Sequence, residues 1–103
     1  MASNPRLTAP ALKVLKYLLE APLEDRSGAD LSRTLHIGSG TLYPLLARLE
    51  VAGWLTSKWE DVDPAEVGRP RRRFYRLSAL GQARALKAIN ELQVGPGVLV
   101  WSY

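Results

Sequence analysis

Apolar residues recur at helical spacing in most of the chain and give way to a strand pattern in its middle. From about Thr8 to Glu20, the residues Ala11, Leu12, Val14, Leu15, Leu18 and Leu19 cover more than half of a helix circumference. Lys13, Lys16 and Glu20 share one narrow polar face. Thr8 suits an N-cap, and Pro10 falls in the first turn, where its missing N–H costs little. A short helix this apolar calls for two burial partners, its own core and a second subunit. Ala21-Pro22 ends it. A shorter helix is predicted from Ser27 to about His36, with Ser27 and Asp30 as a capping box and Ala29, Leu31 and Leu35 facing inward. His36 falls at its C-terminus, where a histidine meets free carbonyls. Ile37-Gly38-Ser39-Gly40 reads as a tight turn.

The third helix is predicted from about Ser39 to Ala52, stopped by Gly53 in a left-handed C′ position. Leu42, Leu45, Leu46 and Leu49 form its inward stripe. Its outward face is made of Gly40, Pro44, Ala47 and Val51, flanked by Thr41 and Arg48 on one side and Tyr43 on the other. Pro44 is compatible with a cap at Thr41, or with a cap at Ser39 that costs the Gly40 carbonyl its partner. Trp54 to Glu60 then reads as a strand, Asp61 to Pro70 as a loop, and Arg71 to Leu77 as the returning strand. Its alternation sets Tyr75 and Leu77 against Arg72, Phe74 and Arg76. Ser78 caps a last helix that runs to about Val94, with Leu80, Ala83, Leu86, Ile89 and Leu92 spread around it. Arg84, Lys87 and Glu91 mark its wet side. The chain is therefore expected to divide into a flexible stretch 1–7, a winged helix-turn-helix domain 8–77, a C-terminal helix 78–94 and an apolar tail 95–103. The fold class is mainly α with a two-stranded β-hairpin: a winged helix-turn-helix with a C-terminal dimerisation helix.

Charge gives this fold its direction. Five arginines (Arg69, Arg71, Arg72, Arg73 and Arg76) crowd the second strand and the turn before it, interleaved with Phe74 and Tyr75. Without them the net charge of +4 becomes −1, so basicity is concentrated in the hairpin. Such a segment suits phosphates, although arginines also protect exposed strand edges. Small residues on the outward face of the third helix would let its backbone approach a DNA major groove. The 103 residues suit a single domain. Cysteine is absent and His36 is the only histidine, which leaves no disulfide, zinc site or Ser/Cys–His catalysis to build. The Gly38-Ser39-Gly40-Thr41 turn lacks the lysine of a phosphate loop, and Asp61, Asp63 and Glu66 fit no calcium loop. Hence neither an enzyme, a cofactor nor a metal is expected. No apolar run suits a membrane span or a leader, and a cytoplasmic protein is the default.

The blocks Gly40-Thr41-Leu42-Tyr43-Pro44-Leu45-Leu46-Ala47-Arg48-Leu49-Glu50, Gly53-Trp54-Leu55 and Gly68-Arg69-Pro70-Arg71-Arg72-Arg73-Phe74-Tyr75-Arg76-Leu77-Ser78-Ala79-Leu80-Gly81 resemble the PadR family of transcriptional regulators over roughly positions 11 to 90. The resemblance implies a winged-helix protein, usually a repressor, that binds double-stranded DNA and forms a homodimer through its terminal helices. It implies that Ser39, Thr41, Tyr43 and Pro44 begin the recognition helix, that Arg48 lies near phosphate, and that Gly68 to Arg73 form the wing tip. Leu12, Leu15, Leu19, Leu86, Ile89 and Leu92 are the expected dimer interface. The family permits a small-molecule effector among Tyr17, Trp54, Trp59 and Trp101, but ordinary packing explains those aromatics as well. The alternative function is a protein-interaction or architectural module that docks through Val98 to Tyr103.

Overall fold

The computed structural model describes residues 5–93. Residues 1–4, the end of the expected last helix at Val94, the apolar tail 95–103 and Trp101 lie outside the described residues. The elements in order are α1 (Ala9–Glu20), β1 (Arg26–Ser27), α2 (Gly28–Leu35), α3 (Ser39–Val51), β2 (Leu55–Trp59), α4 (Pro64–Val67), β3 (Arg73–Leu77) and α5 (Ala79–Gln93).

Local chemistry sets the helix ends. The Thr8 hydroxyl accepts from the Ala11 N–H at 3.3 Å, and Ala11, Val14, Leu15 and Leu18 form the buried stripe of α1. Ser27 caps α2 by accepting from the Asp30 N–H at 3.0 Å. The Asp30 carboxylate turns outward to Arg33 (2.8 Å), so only half of the expected capping box forms. The α2 helix stops at His36, which adopts the left-handed conformation (φ 56°) and donates its N–H to the Ser32 carbonyl. Its backbone closes the helix. Ala29, expected inward, is exposed: α2 is only two turns long and spends its inward positions on Leu31 and, in part, Leu35.

Gly38 begins α3, where its carbonyl accepts from the Thr41 and Leu42 N–H groups. Neither Ser39 nor Thr41 is the cap, and Pro44 stands inside the helix, where it supplies no donor to the exposed Gly40 carbonyl. Leu42, Leu45, Leu46 and Leu49 are all buried. Gly53 (φ 84°) ends the helix as expected, with the Trp54 N–H returning to the Leu49 carbonyl at 2.9 Å. The Ser78 hydroxyl accepts from the Gly81 N–H (2.9 Å) and donates to the Gly53 carbonyl (2.6 Å), joining the end of α3 to the start of α5.

The sheet has three antiparallel strands in the order β1-β3-β2, so a third strand joins the expected hairpin. Leu55 pairs with Leu77, Ser57 with Tyr75 and Trp59 with Arg73, while Arg26 lies opposite Tyr75 on the other edge. The core packs Val14, Leu15 and Leu18 of α1 against Leu31, Leu42, Leu45, Leu46 and Leu49, and is closed by Trp54, Leu55, Tyr75, Leu77 and Ala85. The α2–α3 pair with a hairpin beside it is a winged helix-turn-helix. The wing is β2, the loop carrying α4, and β3.

Candidate nucleic-acid interface

Burying the leucine stripe of α3 forces the opposite face into the open. Gly40, Thr41, Pro44, Ala47 and Arg48 are exposed, as is Ser39 at the helix start, and Val51 is 87% exposed. Tyr43 is half-exposed. Its ring packs against the start of α2, so close to Gly28 that a Cβ there would come within 2.6 Å of the ring.

The wing stands beside this face. Tyr43, Ala47 and Glu50 of α3 and Trp59, Arg71, Arg72 and Arg73 of the wing line one groove of about 570 Å³. The small-residue helix and the arginine hairpin therefore share one side of the molecule.

The five wing arginines are not equivalent. Arg69 forms a two-pronged pair with Glu60 (2.7 and 3.0 Å), and the Glu60 carboxylate also accepts from the Arg72 backbone N–H at 3.2 Å. These partners, Arg69 first, hold the Glu60 carboxyl down to about 2 and raise the Arg69 guanidinium in turn. The Arg73 guanidinium reaches Glu50 at 3.5 Å, its Nε donates to the Ser57 hydroxyl at 3.1 Å, and it stacks 5.0 Å from the Trp59 ring centroid. Arg76 binds Asp25 at 3.0 Å, and Lys58 binds the same carboxylate at 2.9 Å. The Lys58 hydrogen bond, followed by that from Arg76, lowers the Asp25 carboxyl below its ordinary value. Arg71 is exposed and donates from Nε only to the Val62 carbonyl at 2.9 Å, and Arg72 is exposed with no side-chain acid partner among the described residues. Burial pushes the Tyr75 phenol up, so it stays neutral behind the groove.

Asp25, Glu50 and Glu60 thus matter to the site, and the sequence pattern singles out none of the three. Asp25 stands 51 residues from Arg76 and carries no local signal. Glu60 lies across the hairpin from Arg72, and only the strand register reveals that pairing.

The expected dimer residues divide as well. Leu86 (54%) and Leu92 (56%) are exposed; Leu12, Leu19 and Ile89 are half-buried. Leu15 is wholly buried in the protomer's own core, because it falls at the centre of the α1 stripe, and has no surface to offer a partner. Trp54 is also core, which removes it from any aromatic pocket. Among the described residues no helix is long and apolar enough to cross a membrane.

The geometry defines a DNA-binding class of winged helix, and the comparisons give the family. Residues 17–87 match the model of the transcriptional regulator PadR-like family, and the chain belongs to that family. The chain is similar to smu.1704 from Streptococcus mutans UA159, with 29% identity over 89% of this chain and 85% of that one, and a TM-score of 0.65. It shares the fold of a PadR-like transcription factor from Bacteroides fragilis, with 22% identity over 82% and 84% of the two chains and a TM-score of 0.65. It is also similar to reduced AbfR, solved bound to DNA, with 26% identity over 81% of this chain and 54% of AbfR and a TM-score of 0.61. No curated protein matches it in sequence.

Proposed function

We propose that the chain is a sequence-specific transcriptional repressor that binds double-stranded DNA as a homodimer in the cytoplasm. The recognition helix α3 enters the major groove with Ser39, Thr41, Tyr43 and Pro44 leading, while Arg48 meets phosphate at its flank. The wing lies on the adjacent backbone through Arg71 and Arg72. One observation carries this reading: Tyr43 and Ala47 of the exposed α3 face share one groove with Arg71 and Arg72, two exposed wing arginines with no acid partner among the described residues. A DNA backbone following that groove meets both positioning charge and a close-approach surface. The likeness to AbfR, which binds DNA, supports the same docking. The repressor sign and the dimer rest on the family likeness and on the exposed leucines of α5.

Affinity measured against salt concentration tests the wing. Replacing Arg71 or Arg72 with alanine is expected to flatten the log–log slope by about one unit for each arginine–phosphate pair removed, with the fold intact by circular dichroism. An unchanged slope in both variants counts against the assignment.

A further inference from the structure

Glu50 is out of place in a polyanion site. It lies on the groove wall, and in the last turn of α3, where the helix dipole disfavours a carboxylate. Left alone there it would repel phosphate. Two neighbours meet one of its oxygens: the Ser57 hydroxyl of β2 donates to Oε2, and the Arg73 guanidinium of β3 lies 3.5 Å from the same atom. Arg73 also donates to Ser57 at 3.1 Å and rests on the Trp59 ring. The four side chains tie the end of the recognition helix to both strands of the wing. Arginine suits this junction because its flat, forked head can take two acceptors while stacking on an indole, which lysine cannot do.

We propose that Glu50 is a positioning residue: by holding Arg73 against Ser57 and the Trp59 ring, it sets the wing's distance from α3 and keeps one guanidinium away from the DNA phosphates. The wing's phosphate-binding charge is then Arg71 and Arg72. This rests on the DNA-binding reading above and sharpens it. Sequence discrimination gains from the arrangement, because a rigid spacing between helix and wing fixes register, whereas an additional loose cation adds only sequence-independent attraction.

Salt titration of binding to a mixed-sequence DNA duplex tests it. Glu50→Gln keeps the shape and removes the charge, releasing Arg73; the slope is expected to steepen by about one unit per bound protomer. Adding Arg73→Ala to that variant returns the slope to its wild-type value. Ser57→Ala, which loosens the same junction without touching a charge, gives a smaller steepening in the same direction and serves if Glu50→Gln does not fold. A slope unchanged in folded Glu50→Gln overturns the proposal. So does a steepening that survives Arg73→Ala, because it would come from relieved repulsion alone. A wild-type protein with no salt-dependent binding to any duplex, operator-selected or mixed, overturns the DNA-binding reading itself.

Discussion

Two glycines show how differently one added carbon acts in this fold. A Cβ on Gly81 would stand 1.9 Å from the Trp54 carbonyl oxygen and 2.8 Å from its carbon, both fixed backbone atoms at the junction of α3, β2 and α5. The start of α5 would have to lift off the strand, breaking the bond from the Ser78 N–H to that same carbonyl (2.9 Å). Gly81→Ala should therefore cost about 1–3 kcal/mol in denaturant unfolding, although alanine is the better helix former by about 1 kcal/mol. Gly28 offers the opposite case. Its added Cβ would meet only the far end of the Tyr43 ring, which can swing away. Gly28→Ala should leave stability within about 1 kcal/mol of wild type and weaken DNA binding, since the displaced ring sits on the groove wall. Equal loss of stability in both variants would show that Tyr43 is locked more firmly than its half-exposure suggests.

The wing holds itself together by charge where apolar packing is thin, and this makes it sensitive to acid. The Glu60 carboxyl is held near 2 from an ordinary 4.5 by Arg69 and by the Arg72 N–H. A group depressed on folding adds stability that is complete above its unfolded value and is lost as pH falls through its folded one. The stability gap between wild type and Glu60→Gln should therefore be constant above about pH 4.5 and close as pH falls toward about 2. A gap independent of pH would remove the pair from the wing's support. The same segment shows what is legible in sequence and what is not. The four longer helices and the two wing strands follow from periodicity, caps and breakers, because each is long enough to repeat its own pattern. Asp63-Pro64-Ala65-Glu66 carries a helix-start signature inside a segment expected to be plain loop; Asp63 accepts from the Ala65 N–H at 2.9 Å and opens α4. Arg26–Ser27 is a strand of two residues, too short to alternate, and exists only because β3 has a free edge beside it. The arginine cluster is plain in the sequence, but its division into struts and uncommitted cations is not. That division depends on Asp25, Glu50 and Glu60, whose approach is set by tertiary folding.

At the scale of the whole molecule, the last turns of α5 carry apolar side chains that the rest of the described residues leave uncovered. Gly81, Ala85 and Ala88 lie on the side of the helix that meets the domain, and helical spacing continues that side to Leu92. Yet Leu92 is 56% exposed, while Ala85 is fully covered. Leu86, also exposed at 54%, widens the uncovered surface, and Leu12 and Leu19 of α1 are only half-buried. A leucine left in water forgoes about 1.5–3 kcal/mol of burial, and a second copy docking by the same surface would recover it from both sides at once. Two recognition helices related by a two-fold axis would then address two half-sites. Leu86→Glu combined with Leu92→Glu should produce a folded monomer by sedimentation, with an unchanged helix signal, and should weaken binding to a two-half-site duplex far more than to a single half-site. Leu15→Glu is the contrasting control: Leu15 is wholly buried within the protomer, so its replacement should unfold the domain rather than split a dimer. A Leu86/Leu92 double variant that stays dimeric would move the interface off the last helix, and the exposure of those two leucines would then need another cause.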